Sequence, residues 1–200
     1  MFVQMIEGKV GDRAGLEAQL EAWMTDLQPG AEGWLGTTCG VTADGTFVAL
    51  ARFESQEAAM ANGQRPEQGA WFEKMAATFD GDVTFTDCPV VDTFGAGGSD
   101  DAGFVQIMIG HADRDQILPL ANELDAVLRR MRPDVIGGTA AWPGDGRFIQ
   151  TVYFTSEGEA RANESAEPMS DQDRADAERL MSLMQVDRYI DLPQPTFYSR

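Results

Sequence analysis

The sequence predicts an α+β protein in which one β-α-β-β-α-β module is written twice. Three observations carry this. The stretch from Asp44 to Asn62, DGTFVALARFESQEAAMAN, returns at Asp145 to Asn163 as DGRFIQTVYFTSEGEARAN, a constant shift of 101 with eight of 19 positions identical. Each copy carries its own succession of alternating apolar runs and amphipathic segments, in the same order. The strand-like runs are apolar on both faces, whereas an amphipathic helix layer covers only one.

In the first module, FVQMIEG places Phe2, Gln4 and Ile6 on one face and Val3, Met5 and Glu7 on the other, the period of a strand. Asp12 is suited to cap a helix whose apolar residues Leu16, Leu20, Trp23, Met24 and Leu27 recur at helical spacing, and Pro29-Gly30 ends it. Trp34–Thr42 and Thr46–Phe53 form a hairpin about Ala43-Asp44-Gly45. Ser55 caps a second helix that Gly63 and Pro66 interrupt, and Glu67–Phe79 continues it with Trp71, Phe72, Met75 and Phe79. Val83–Phe94 reads as the closing strand, with Pro89 marking an edge or bulge.

The order then restarts. Gly95–Ala102 is small, polar and glycine-rich, the composition of a connector, so the expected domains are 1–94, a linker 95–102, and 103–200. Phe104-Val105-Gln106 repeats Phe2-Val3-Gln4, and Ile117, Leu120, Leu124 and Leu128 form the helical stripe. Val135–Trp142 and Arg147–Phe154 form the second hairpin, and Ser156 caps a helix that breaks near Pro168 and resumes from Asp171 to Met184. Tyr189–Phe197 is the matching closing strand. Two helices on one face of a four-stranded antiparallel sheet in this order make a ferredoxin-like arrangement.

Charge narrows the partners. With 33 acidic residues against 15 Lys and Arg, the formal charge of -18 repels phosphate backbones and anionic headgroups, which argues against nucleic acid and membrane. No spanning run or secretory leader pattern is present, so the expected location is cytoplasmic. Cys39 and Cys88 sit in apolar strands and read as buried thiols; a disulfide requires their strands to be neighbours.

FVQMIEG, the GTT before a hairpin, FVALARF followed by ESQEAA, and their second copies resemble the dimeric α+β barrel superfamily and its antibiotic-biosynthesis-monooxygenase-like members, over nearly the whole chain. The resemblance implies two ferredoxin-like units packed as a pseudo-dimeric α+β barrel within one chain, with a pocket in each unit; a homodimer of the whole chain is the alternative. It implies small-molecule binding and a cofactor-independent monooxygenase acting on an aromatic or polyketide-like substrate. The rival is a non-catalytic binding or stress-associated module whose interior its own side chains fill. The haem-degrading members place a histidine on the helix after the third strand, and this chain has none there.

Candidate site residues follow from their chemistry. Gln4 and Gln106 are polar, repeated and flanked by apolar neighbours, suited either to hold a ligand carbonyl or to satisfy buried polar groups. Arg52 and Tyr153 hold the same position in the two copies and suit an acidic or oxygen-bearing ligand. Trp34 and Trp142, near the hairpins, suit a pocket wall or plain sheet packing. His111, the single histidine, is a candidate acid or base, although Asp113 and Asp115 nearby favour a solvated strand end. Asn62 and Asn163 recur where the second helix breaks and suit a cap. One histidine and no clustered thiols leave too few ligands for a metal or haem, so no cofactor is expected.

Overall fold

The computed structural model describes residues 1–166 and 170–200. Ten strands and seven α-helices follow one another among these residues. The first copy contains β1 (Phe2–Lys9), α1 (Arg13–Ala22), β2 (Trp34–Val41), β3 (Thr46–Phe53), α2 (Gln56–Gly63), α3 (Pro66–Ala76) and β4 (Thr84–Cys88). After β5 (Val90–Gly95) come β6 (Phe104–Ala112), α4 (Arg114–Glu123), α5 (Asp125–Met131), β7 (Val135–Trp142), β8 (Arg147–Phe154), α6 (Glu157–Glu164), α7 (Asp171–Met181), β9 (Met184–Leu192) and β10 (Thr196–Ser199). The expected helix break near Pro168 lies outside the described residues.

The strands form two five-stranded sheets, β10-β2-β3-β1-β4 and β5-β7-β8-β6-β9. Compact units follow the sheets: Met1–Val91 joined by Gln194–Arg200, and Asp92–Pro193. Each predicted closing strand is therefore two strands in two sheets. Val83–Phe94 divides at Pro89, so β4 finishes the first sheet and β5 edges the second. Tyr189–Phe197 divides at Pro193 and Pro195, and β10 returns to pair antiparallel with β2, Thr196 opposite Cys39. Proline has no N–H to give a ladder, and at these points the chain leaves one sheet for the other.

Local signals explain the elements. Asp12 accepts from the Gly15 N–H (3.0 Å) and Ser55 from the Ala58 N–H (3.2 Å), while Ser156 accepts from the Glu159 N–H (3.2 Å). Gly45 (φ +82°) and Gly146 (φ +81°) turn the two equivalent hairpins in the left-handed region, where a side chain is strained. Beyond Ala22 the first helix widens into a π-turn over Trp23–Leu27 before Gln28–Gly30 closes it as a 3₁₀ turn. The predicted single stripe Ile117–Leu128 likewise divides, with Leu124 (φ -92°, ψ 3°) between α4 and α5. Leu124 is the counterpart of Trp23, so both copies deform at one position.

One face of each sheet meets its helices. In the first unit Leu16, Phe47, Met75 and Phe79 form one buried cluster and Phe2, Ala31, Trp34 and Phe53 another. In the second, Phe104, Val152, Phe154 and Ala160 form one, and Ile117, Trp142 and Phe148 another. The opposite faces are also apolar and buried, with Val3, Met5, Val48 and Leu50 in one sheet and Val105, Ile107, Ile149 and Leu192 in the other. Cys39 and Cys88 are buried and not joined by a disulfide; they lie on β2 and β4, which are not neighbours. Burial pushes the Cys39 thiol up to about 12.

Candidate functional site

Strand register divides the candidate residues. On β1, Phe2, Gln4 and Ile6 face the helices, since Phe2 and Ile6 belong to the clusters packed there. Gln4 lies opposite Asp87 on β4, and its Nε2 donates to Asp87 Oδ1 at 2.8 Å. Gln106 repeats the arrangement opposite Asp191 on β9, donating at 2.9 Å. Both glutamines are thus on the helix side, each bound to an aspartate across the strand pair. Each aspartate stands two residues before a proline, Asp87 before Pro89 and Asp191 before Pro193, a local likeness that says nothing of their cross-strand partners.

Arg52 and Tyr153 point the other way. Arg52 lies opposite Val3, and Tyr153 opposite Val105, on the faces away from the helices. Arg52 Nη1 donates to Thr38 Oγ1 at 2.8 Å, and its guanidinium lies over Gly36, where a Cβ would meet Nη2 at 2.7 Å. Tyr153 is buried, and Gly98 of the predicted connector lies against its hydroxyl. The candidate residues therefore do not converge on one place.

Trp34 is buried on the helix side of the first unit and donates from Nε1 to Thr37 Oγ1 at 3.1 Å. It begins a run of aromatic contacts that periodicity alone did not connect. Trp34 meets Trp23 edge-on at 5.0 Å between ring centroids, Trp23 meets Trp71 at 6.5 Å, Trp71 meets Phe72 at 6.4 Å, and Phe72 meets Phe85 at 5.4 Å. Trp23 Nε1 donates to Gln68 Oε1 (2.9 Å) and Trp71 Nε1 to the Gln19 carbonyl (2.8 Å), so both indoles are fixed by their polar ends. The π-turn that starts at Trp23 widens the helix at the second ring of this run, a distortion often found at functional positions. At its other end Phe85 is 46% exposed on the edge strand β4, two residues from Asp87 on the same face. Gln4, Asp87 and this aromatic run form the one candidate site in which several predicted and unpredicted groups meet.

Trp142 occupies a different setting. Its Nε1 donates to Asp92 Oδ2 at 2.8 Å, and Arg114 grips the same carboxylate through Nε (2.8 Å) and Nη2 (2.7 Å). The Arg114 guanidinium, with a smaller contribution from the indole N–H, holds the Asp92 carboxyl below the usual carboxylate range despite partial burial. His111 stands at the exposed end of β6, its Nδ1 2.9 Å from Asp187 Oδ2. Asn62 is buried and accepts from Arg65 Nη1 at 2.9 Å, while the Arg65 N–H donates to the Asn62 carbonyl, so it shapes the bend between α2 and α3. Asn163 gives its carbonyl to the Ala166 N–H. Among the described residues no three His, Cys, Asp or Glu side chains gather as a metal-binding group, and no helix is long and apolar enough to cross a membrane.

The architecture is a tandem pair of ferredoxin-like α+β units, and solved structures share it over the whole chain. A candidate monooxygenase from Fusobacterium nucleatum superposes with a TM-score of 0.72 at 8% identity, covering 100% of this chain and 94% of its own. One from Lactobacillus acidophilus gives 0.70 at 13% identity, covering 99% and 95%. An anthrone oxidase-like protein gives 0.63 at 10% identity, covering 99% and 92%. No family model and no curated protein matches the chain. At these identities the likeness shows the fold alone.

Proposed function

We propose that the chain binds a small aromatic molecule on the helix side of the first unit and promotes its oxygenation without a bound cofactor. The observation that carries the reading is the aromatic run from Trp34 to an exposed Phe85, ending beside the Gln4–Asp87 pair. Flat apolar rings with a few directed polar groups are what a site for an aromatic ligand needs. The fold shared with candidate monooxygenases and with an anthrone oxidase-like protein supports the choice of chemistry.

For an anthrone the reaction balances as follows. The ring methylene loses a proton to give the enolate, molecular oxygen adds at that carbon, and the hydroperoxide eliminates water to leave the quinone carbonyl. Gln4 donates one amide hydrogen to Asp87 and keeps a second for an enolate oxygen. Asp87 is exposed and accepts a proton from water or substrate at the edge of the site.

The test follows anthraquinone formation and oxygen uptake with anthrone in buffer free of added metal or flavin. The expected result is turnover above the protein-free rate, reduced at least tenfold by Gln4→Leu, which removes the amide and keeps a side chain of similar size. Anthrone binding without turnover selects the non-catalytic binding module instead.

A further inference from the structure

The two copies hold the same cross-strand Gln–Asp pair, and the second copy shows what it accepts. There Arg161 of α6 places its guanidinium on Asp191 and over the Phe104 ring, 5.1 Å from the centroid, while Gln106 donates to the other oxygen of the same carboxylate. Glu157 and Glu164 hold Arg161 in place, at 3.6 and 3.2 Å. The second copy is thus occupied by a planar cation from its own chain.

The counterpart of Arg161 in the repeat is Met60, which is 56% exposed on α2. Among the described residues no lysine or arginine pairs with Asp87. Phe2, the counterpart of Phe104, is buried against Trp34 and Phe53, so it offers no ring face. Phe85 does, being exposed two residues from Asp87 and backed by Phe72 at 5.4 Å. A carboxylate oriented by an amide, next to an open aromatic face and on a chain of formal charge -18, suits a delocalised cation.

We infer that the Gln4–Asp87–Phe85 corner of the first unit binds an aromatic ligand carrying a planar cationic nitrogen group, an amidinium or guanidinium, in the role that Arg161 fills in the second. The inference rests on the reading of this corner as the ligand site and adds the charge of the ligand. A neutral ring system engages only the aromatic run; the cationic group adds the carboxylate.

Benzamidine is the probe, with neutral benzamide of nearly the same shape as its control, titrated calorimetrically into the full chain at low salt. The expected result is one saturable equivalent of benzamidine, bound at least tenfold more tightly than benzamide. Asp87→Asn weakens benzamidine at least tenfold and leaves benzamide unchanged. Met60→Arg, which supplies the chain's own guanidinium, also weakens benzamidine at least tenfold. Unchanged benzamidine affinity in Asp87→Asn, with the variant folded by circular dichroism, overturns the site, because the attraction then belongs to the acidic surface at large. Equal affinity for benzamide and benzamidine overturns it too. If anthrone turns over while benzamidine does not saturate, the cation site fails and the oxygenase reading stands; benzamidine binding without anthrone turnover gives the converse.

Discussion

Position 71 is a tryptophan in the first unit, and position 176, which follows the same spacing from the end of its helix, is an aspartate in the second. The next pair is Phe72 against Ala177. Along the helix side the contrast continues: Ala31 packs on Phe53, whereas Arg132 lies over Phe154 at 5.2 Å and pairs with the buried Asp134. Arg130 pairs with the buried Asp173, and Arg161 closes over Phe104. One copy holds its helices to its sheet with indole and phenyl rings. The other uses arginines that stack on phenylalanines and bind carboxylates. Ring burial is non-directional and scales with area, while arginine pairing is directional and fills each polar position with a partner from the chain. Among the described residues the first solution leaves the Gln4–Asp87 pair without a guanidinium, whereas Arg161 closes the equivalent Gln106–Asp191 pair in the second; Phe85 and its counterpart Tyr189 are both exposed. On the proposed reading, divergence of this kind concentrates binding in one copy and structural closure in the other.

The largest expected effect lies where the first copy depends on a ring. Trp34→Ala removes a buried indole from the head of the aromatic run and is expected to cost about 3–5 kcal/mol. Its counterpart Val135 is half-buried, so Val135→Ala costs about 1 kcal/mol. Urea unfolding followed by far-ultraviolet circular dichroism measures both. Equal costs at the two positions break the contrast between ring-held and arginine-held layers.

A smaller effect tests the arginine side. Asp92→Asn strips the carboxylate that Arg114 grips with two hydrogen bonds and Trp142 with one, at an expected cost of about 1–2 kcal/mol at neutral pH, moderated by the partial exposure of Arg114. The folded carboxyl titrates below its ordinary value of 3.8, so its contribution is present above that value and fades as the pH falls through the lower folded one. The difference in melting temperature between the protein and Asp92→Asn is therefore expected to shrink below about pH 4. A difference that persists undiminished at pH 2 assigns the effect to shape rather than charge.

Much of this architecture was legible in the chain because turns, caps and strand alternation are local. Asp12, Ser55 and Ser156 cap where expected, and Gly45 and Gly146 turn equivalent hairpins. What the sequence concealed is what depends on partners distant in the chain. Val83–Phe94 is one apolar run, and nothing in it says that its two halves pair in different sheets; Pro89 marks an interruption but no destination. Gln4 and Gln106 stand out as polar residues on apolar strands, yet their aspartates lie 83 and 85 residues away. Arg52 and Tyr153 drew attention by differing between copies, and they differ on the face opposite the glutamines. The informative divergence was Met60 against Arg161, two residues before the repeated asparagine, inside a segment that reads only as a helix. Its meaning appears once Asp191 is brought under the guanidinium.

The smallest effect concerns the faces away from the helices. Thr151 is buried there, opposite Ile107 and Thr139, and its Oγ1 has no hydrogen-bond partner. A buried hydroxyl without a partner costs about 1–3 kcal/mol in proteins. The first copy has Leu50 at this position, opposite Met5 and Thr38, and no such cost. Thr151→Val keeps the branched shape and removes the oxygen, so it is expected to stabilise the chain by about 1 kcal/mol. Thr38, opposite Leu50 in the first sheet, accepts a bond from Arg52, and Thr38→Val leaves that guanidinium short of an acceptor. The same exchange on equivalent strands is thus expected to have opposite signs, stabilising at 151 and destabilising at 38, read as paired shifts of the urea midpoint. A destabilised Thr151→Val shows that the hydroxyl has a partner in solution and removes this last difference between the copies.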